Sequence, residues 1–478
     1  MKNKWLLLIT ILGFLIRLVN FPLLPAEMNR DELALGYNAY SILQTGKDEY
    51  GKSFPIVFRS FGDYKLPVYV YLLAPFVQAF GVTALAVRLP SFIAGVLLIP
   101  VLYWFVFSLF RNTSRAVWSS AVLACSPWAI FYSHVGYEAH VGLLLFVLGI
   151  TLLLKKKDLI GGLILFLSAM TYNAPLLILP FLIITLFFSK KISKKSVVVA
   201  TLVFLSVTFI TYPISKGKSS ISFLGNAGFE QMRQDKRIEA DTVVERVYLN
   251  PIVYYPSQVL LRFGLSFSPS FLVSPGGANP WHQVSGYAHL GALYPVFIFS
   301  IVFFLVRRKE FLLLILLSVS LIPAVITLDA PHATRSLLFL LLSGVTMGVL
   351  ISESSMRMKY VFVGLLAISA GSYVYIYGIR MKTPQYEWKV GIRQAILEAE
   401  QMRQPEEVIY LIDSPEYAYV YPLVITGYSS NDFRREDAFV EAFGHWRIVQ
   451  TLTEIQGNGL IVEPYSTPTQ TKYRVVRK

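Results

Sequence analysis

Glu27-Met28-Asn29-Arg30-Asp31-Glu32, running on into Leu33-Ala34-Leu35-Gly36-Tyr37-Asn38-Ala39-Tyr40, sets a pair of carboxylates directly after the first long apolar run, Trp5 to Leu24. A run of that length can cross a bilayer, which takes ~20 apolar residues. Lys2 and Lys4 precede it, and the positive-inside bias then puts the N-terminus in the cytoplasm. Asp31 and Glu32 emerge on the outer side, where the chain leaves the lipid. Leu33, Tyr37 and Tyr40 follow at helical spacing and predict a helix along the membrane surface. Acids also serve a helix N-terminus as caps. Two of them at a membrane exit, in a chain with 29 acids against 43 basic residues, favour function.

The rest of the composition agrees with a membrane chain. The 478 residues are 55% hydrophobic, with a mean hydropathy of +0.55, spread over many separate apolar runs. This is the pattern of a polytopic helical membrane protein. The net charge of +14 sits in short clusters between those runs, which marks topology and lipid head-group contact and excludes a nucleic-acid partner. Cys125 is the only cysteine, so one chain can form no disulfide. The first run carries Arg17 and lacks a small-residue cleavage site, so it is expected to stay as an anchor.

Walking outward from the acidic stretch, a first outer loop is expected over residues 25–84. It contains a second surface or re-entrant helix, Leu66 to Phe80, too short to span and interrupted by Pro75. Apolar runs then alternate with Arg111 and Arg115, Lys155-Lys156-Lys157, Lys190, Lys191, Lys194 and Lys195, Arg307-Arg308-Lys309, and Arg357 and Lys359. Placing every basic cluster on the inner side gives about eleven spans. A long outer loop is expected over 213–290, and loops of that length in a compact protein are usually functional. The membrane domain covers 1–378. The remainder, 379–478, has helical periodicity at Trp388–Met402 and strand-like runs at Glu407–Ile412, Arg447–Val449 and Leu460–Val462. It reads as a small extracytoplasmic α/β domain.

With this topology the unusual polar groups collect on the outer side: Asp31 and Glu32, Lys65 and Tyr69, Glu138 with His134 and His140, and Asp329, His332 and Arg335. A carboxylate can take a proton from a hydroxyl acceptor. Lys, Arg and His can hold a phosphate. No nucleotide-binding loop occurs in the sequence, so an activated substrate must come in another form, and a lipid-linked phosphate fits. His134 and His140 are a weak metal signal, and no metal or other cofactor is expected.

The ordered set Arg30-Asp31-Glu32, Lys65-Leu66-Pro67-Val68-Tyr69, Phe80-Gly81 and Ala86-Val87-Arg88-Leu89-Pro90-Ser91 resembles glycosyltransferase family 39, which includes protein O-mannosyltransferases and lipid A aminoarabinose transferases of the GT-C fold. The resemblance covers roughly the first 190 residues. It implies a polyprenyl-phosphate sugar donor and inversion at the anomeric carbon. Asp31 then corresponds to the catalytic base or an acceptor-orienting acid, and Glu138 to the second acidic position. Lys65 contacts the donor phosphate, as do His332 and Arg335 on a looser match, while Glu32 and Tyr69 line the substrate site. The acceptor it implies is a lipid, a glycan or a protein of the cell envelope. The competing reading is a transporter or flippase of lipid-linked sugars, which calls for interrupted helices in repeated halves; no clear repeat is present.

Overall fold

The computed structural model describes residues 2–478 apart from 62, 219–221, 278, 285, 308–310, 382–387, 436–438 and 467–470. Arg308 and Lys309 of the fourth expected basic cluster thus lie outside the described residues. In chain order the elements are α1 (Lys2–Leu18), α2 (Arg30–Thr45), the hairpin β1 (Phe58–Ser60) and β2 (Asp63–Lys65), α3 (Pro67–Phe80), α4 (Ala84–Phe110), α5 (Thr113–Cys125), α6 (Pro127–Ser133), α7 (Glu138–Leu154), α8 (Asp158–Ala169), α9 (Asn173–Phe188) and α10 (Lys194–Lys218). The 213–290 segment holds α11 (Ala227–Ile238), α12 (Val243–Tyr248), α13 (Pro251–Leu265) and α14 (Pro269–Leu272). Then come α15 (Tyr294–Arg307), α16 (Phe311–Val319), α17 (Ile322–Val325), α18 (Leu337–Glu353) and α19 (Met356–Arg380). The chain closes with α20 (Ile392–Met402), β3 (Val408–Ile412), α21 (Val420–Ile425), β4 (Ala442–Phe443), β5 (Trp446–Val449), β6 (Gly459–Ser466) and β7 (Thr471–Arg477).

Each apolar run read from the sequence is helical, but the count of eleven spans needs correction. Among the described residues four helical segments are long and apolar enough to cross a membrane: Ala84–Phe110, Lys194–Pro213, Thr334–Glu353 and Met356–Arg380. They become five if α6 and α7 form one broken span. The other runs are cut short by backbone chemistry. Ser126 is extended (ψ 128°) because the ring of Pro127 disfavours the helical conformation in the residue before it. The Phe311–Leu328 run breaks after Val319, ahead of Pro323.

Two compact units result, each discontinuous in the chain. The first comprises Met1–Ile16, Ala94–Phe131 and Ala139–Val374. Its centre is α18, buried from Leu337 to Ile351, packed on α5, α15 and α16. Gly348 permits the α18–α5 approach, since a Cβ there would stand 2.4 Å from the Ser119 nitrogen.

The second unit comprises Arg17–Ile93, Tyr132–Glu138 and Tyr375–Lys478. Its sheet runs β4-β5-β3-β6-β7, with β3 parallel to β5 and β6, and β4 and β7 antiparallel at the edges. Leu33, Ala34 and Tyr37 of α2 share a core with Ile396 of α20, Leu411 of β3, Tyr419 and Val462 of β6. The helix that begins with the acidic stretch is therefore clamped by the C-terminal sheet. Glu49 completes that clamp: its carboxylate accepts from the Tyr419 hydroxyl at 2.7 Å and the Asn38 amide at 3.2 Å. Burial pushes the Glu49 carboxyl above its ordinary range.

Candidate active site

The first turn of α2 is set by local sequence. Asn29 is its N-cap, accepting from the Glu32 N–H at 3.0 Å, and the Glu32 carboxylate accepts in return from the Asn29 N–H at 3.0 Å. This reciprocal box satisfies two otherwise orphaned donors. Successive helical residues point about 100° apart, so Asp31 and Glu32 enter different surroundings.

Glu32 points inward. Arg88 of α4 donates to it from Nε at 2.8 Å and from Nη2 at 3.2 Å, and the Gly136 N–H donates at 2.8 Å. With Asn29, four donors fill the two oxygens. Arg88 also donates from Nη1 to the carbonyls of Pro22 and Pro25 and from Nη2 to that of Glu27. All five N–H donors of the guanidinium are engaged. One arginine thus ties the approach to α2, its first turn, and the 134–138 turn together. Gly136 leaves no room for a side chain beside α4: a Cβ would lie 2.8 Å from Val87 Cγ1 and 2.9 Å from the Val87 carbonyl. Tyr69, fully buried, donates its hydroxyl to the Val87 carbonyl at 2.9 Å. The Asn29 amide donates to the Tyr137 hydroxyl at 3.2 Å, and the Ser91 hydroxyl to the Tyr137 carbonyl at 3.3 Å. Sequence reading assigned no role to Asn29, Ser91 or Gly136; the Asn-x-x-Glu spacing was the available signal for the first.

Asp31 points the other way, to a partly open site. Lys65, at the end of β2, places its Nζ 2.9 Å from Asp31 Oδ1 and 3.3 Å from Glu138 Oε1. The three side chains keep 23%, 19% and 11% exposure for Asp31, Lys65 and Glu138. Asp31 sits in the first turn of α2 and Glu138 opens α7, where N–H dipoles favour anions. Residues separated by 34 and 73 positions thus form one ammonium shared by two carboxylates, with a formal charge of −1. Ion pairs this exposed contribute only ~0.2–1 kcal/mol to stability. The arrangement can hold an acceptor hydroxyl against a carboxylate and offer an ammonium to an anion.

The sequence expectation placed Glu32 and Tyr69 against substrate; in the structure both side chains are buried and hydrogen-bonded within the protein. Asp329, His332 and Arg335 belong to the first unit and form their own cluster. Arg335 Nη1 donates to Asp329 Oδ1 at 2.6 Å, His332 Nε2 lies 3.3 Å from Asp329 Oδ2, and His332 Nδ1 is 2.9 Å from the Thr334 hydroxyl. Burial, then the Arg335 charge, holds His332 well below its ordinary range, so at neutral pH it is an uncharged ring. His134 is likewise committed, its Nε2 2.6 Å from the Arg17 carbonyl.

No protein family matches the sequence by its sequence profile, and no curated protein matches it. Solved structures do match in fold. ArnT from Cupriavidus metallidurans bound to undecaprenyl phosphate aligns with a TM-score of 0.58 at 9% identity, over 99% of this chain and 98% of that one. The same protein in its apo state aligns at 0.54 and 10% identity, over 96% and 93%. The archaeal oligosaccharyltransferase AglB from Archaeoglobus fulgidus, in complex with an inhibitory peptide and a dolichol-phosphate, aligns at 0.51 and 15% identity, over 89% of this chain. The chain spans 64% of the AglB chain's length. The fold is that of these proteins, with a small C-terminal sheet.

Proposed function

We propose that this protein is a membrane glycosyltransferase that moves a sugar from a polyprenyl-phosphate donor to a hydroxyl acceptor on the extracytoplasmic side, with inversion. The observation that carries the proposal is Lys65 held between Asp31 and Glu138 at the start of two helices. The fold supports it, because ArnT and AglB were solved with undecaprenyl phosphate and dolichol-phosphate respectively.

In this reading the donor phosphate draws Lys65 partly away from the carboxylates. Asp31, relieved of its partner, accepts the proton of the acceptor hydroxyl. The acceptor oxygen bonds to the anomeric carbon from the face opposite the phosphate. The carbon–oxygen bond to phosphate breaks, and its electron pair leaves with the phosphate oxygen, neutralised by Lys65. Glu138 keeps Lys65 aimed. Positioning and preorganised charge supply the rate. No cofactor is required, since the leaving group is already a phosphate.

Binding of undecaprenyl phosphate to the purified protein, read by native mass spectrometry, tests the assignment of Lys65. Lys65→Met should weaken binding by about 10-fold, the value of one lost charge-assisted contact, while Asp31→Asn should bind at least as well as wild type. Undiminished binding by Lys65→Met would overturn the proposal.

A further inference from the structure

The 213–290 segment, expected as a long outer loop, contains a helix built inside out. The inward side of α13 is its polar side. Tyr255 donates its hydroxyl to Glu230 of α11 at 2.5 Å, and the buried Arg262 lies over the Phe223 ring at 4.5 Å. The exposed residues of α13 are apolar throughout: Ile252 is 83% exposed, Leu260 70% and Leu261 55%, with Val253 and Pro256 between them on the same half of the helix. The adjoining α12 exposes Val243, Val244 and Val247. On α11 the exposed residues are mostly polar, Gln231, Gln234, Asp235, Lys236 and Arg237, with Met232 and Ile238 exposed among them.

A water-facing helix shows the reverse pattern. We infer that α13 is embedded in the lipid of the outer leaflet, its apolar half towards acyl chains, with α11 above it in water. Three observations select lipid as the occupant. First, α13 packs on α17, the end of the apolar pair Phe311–Val325. Second, the segment is pinned there by the Phe223 N–H to the Ile326 carbonyl at 3.2 Å and the Ser222 hydroxyl to the same carbonyl at 2.9 Å. The apolar face therefore continues an apolar helix pair. Third, Lys236, Arg237 and Arg246 are exposed beside it, the charge that anionic head groups attract. A helix of 15 residues is about 22 Å long, too short for a ~30 Å core, so it lies in the leaflet and does not cross it. The inference stands whether or not the protein transfers sugars.

The test uses the full chain with Cys125, its only cysteine, replaced by serine. Nitroxide labels go on Leu260→Cys and Val253→Cys, and on Lys236→Cys of α11, in nanodiscs of phosphatidylethanolamine and phosphatidylglycerol. Each variant is first checked for an unchanged melting temperature, and the two α13 positions back one another. Dissolved oxygen should relax the α13 labels more than a water-soluble nickel chelate does, with the order reversed at Lys236→Cys. Dominant relaxation by nickel at α13 would put the helix in water. Exclusion of both reagents would mean a second copy or another protein covers the face. Either result overturns the inference.

Discussion

Asp31 and Glu32 are neighbours in one helical turn, yet one belongs to an open ion cluster and the other to a closed one. Glu32 and Arg88 are both without exposure, and every donor of the arginine is engaged. Asp31 shares a single ammonium with Glu138 and keeps a quarter of its surface or a little less. A buried pair is costly to break because the survivor is left charged in a poor solvent. An open pair contributes little to stability and remains free to exchange partners. The lesson is that the closed pair builds the frame on which the open trio is held, so adjacent substitutions should fail in different ways.

Arg88→Met should produce the largest effect. Loss of the buried partner costs ~3–5 kcal/mol, and folded protein should nearly vanish from detergent-extracted membranes in a fluorescence size-exclusion profile. A normal yield would break the comparison at its closed end. Asp31→Asn should melt within a few degrees of wild type, because pairs of this exposure contribute ~0.2–1 kcal/mol; a melting loss as large as that of Arg88→Met would make Asp31 structural as well. Gly136→Ala comes next. Its Cβ meets the Val87 backbone at 2.9 Å, and overpacking of this kind costs ~1–3 kcal/mol. The expected signature is a lower melting temperature with partial activity, and an unchanged melting curve would show that the turn can yield.

A pH-dependent effect concerns the buried His289 of the first unit. Burial holds His289 down at about 3, so the folded protein keeps it neutral while the unfolded chain protonates near pH 6.5. Its stabilising contribution is present above pH 6.5 and is lost as pH falls towards 3. Between pH 7 and 5.5 this amounts to about 1 kcal/mol. The melting temperature should decline over that interval, and His289→Gln should flatten the decline.

Much of this was legible in residue order. The apolar runs became helices, and the alternation at Glu407–Ile412 became β3. Leu66–Phe80 became a short helix with Pro67 at its first turn, as proline's fixed backbone angle allows. Asp31, Lys65 and Glu138 stand out in residue order as polar groups of the outer side, and the structure brings Lys65 within 2.9 Å of Asp31 and 3.3 Å of Glu138. The division of labour between Asp31 and Glu32 was not legible, because it depends on where Arg88 and Gly136 arrive from distant sequence. Nor was β7, whose Lys472, Arg474 and Arg477 mask a strand; charge on an edge strand discourages further pairing. Polar composition likewise hid α13, since the average over residues 213–290 says nothing of which side of one helix faces out. Among the described residues the spans that are long enough number four or five for the same kind of reason: hydropathy counts apolar residues, whereas Pro127 and Pro323 decide where a helix stops.

The most direct measurement of the central claim compares cells lacking the protein, cells with wild type and cells with Asp31→Asn, at matched membrane abundance, by mass spectrometry of surface glycolipids, polysaccharides and glycoproteins. The account predicts that one glycan loses a single sugar in the Asp31→Asn cells as it does without the protein, corresponding to a rate loss of ~10²–10⁴ for a missing base. A glycan profile identical to wild type would contradict it.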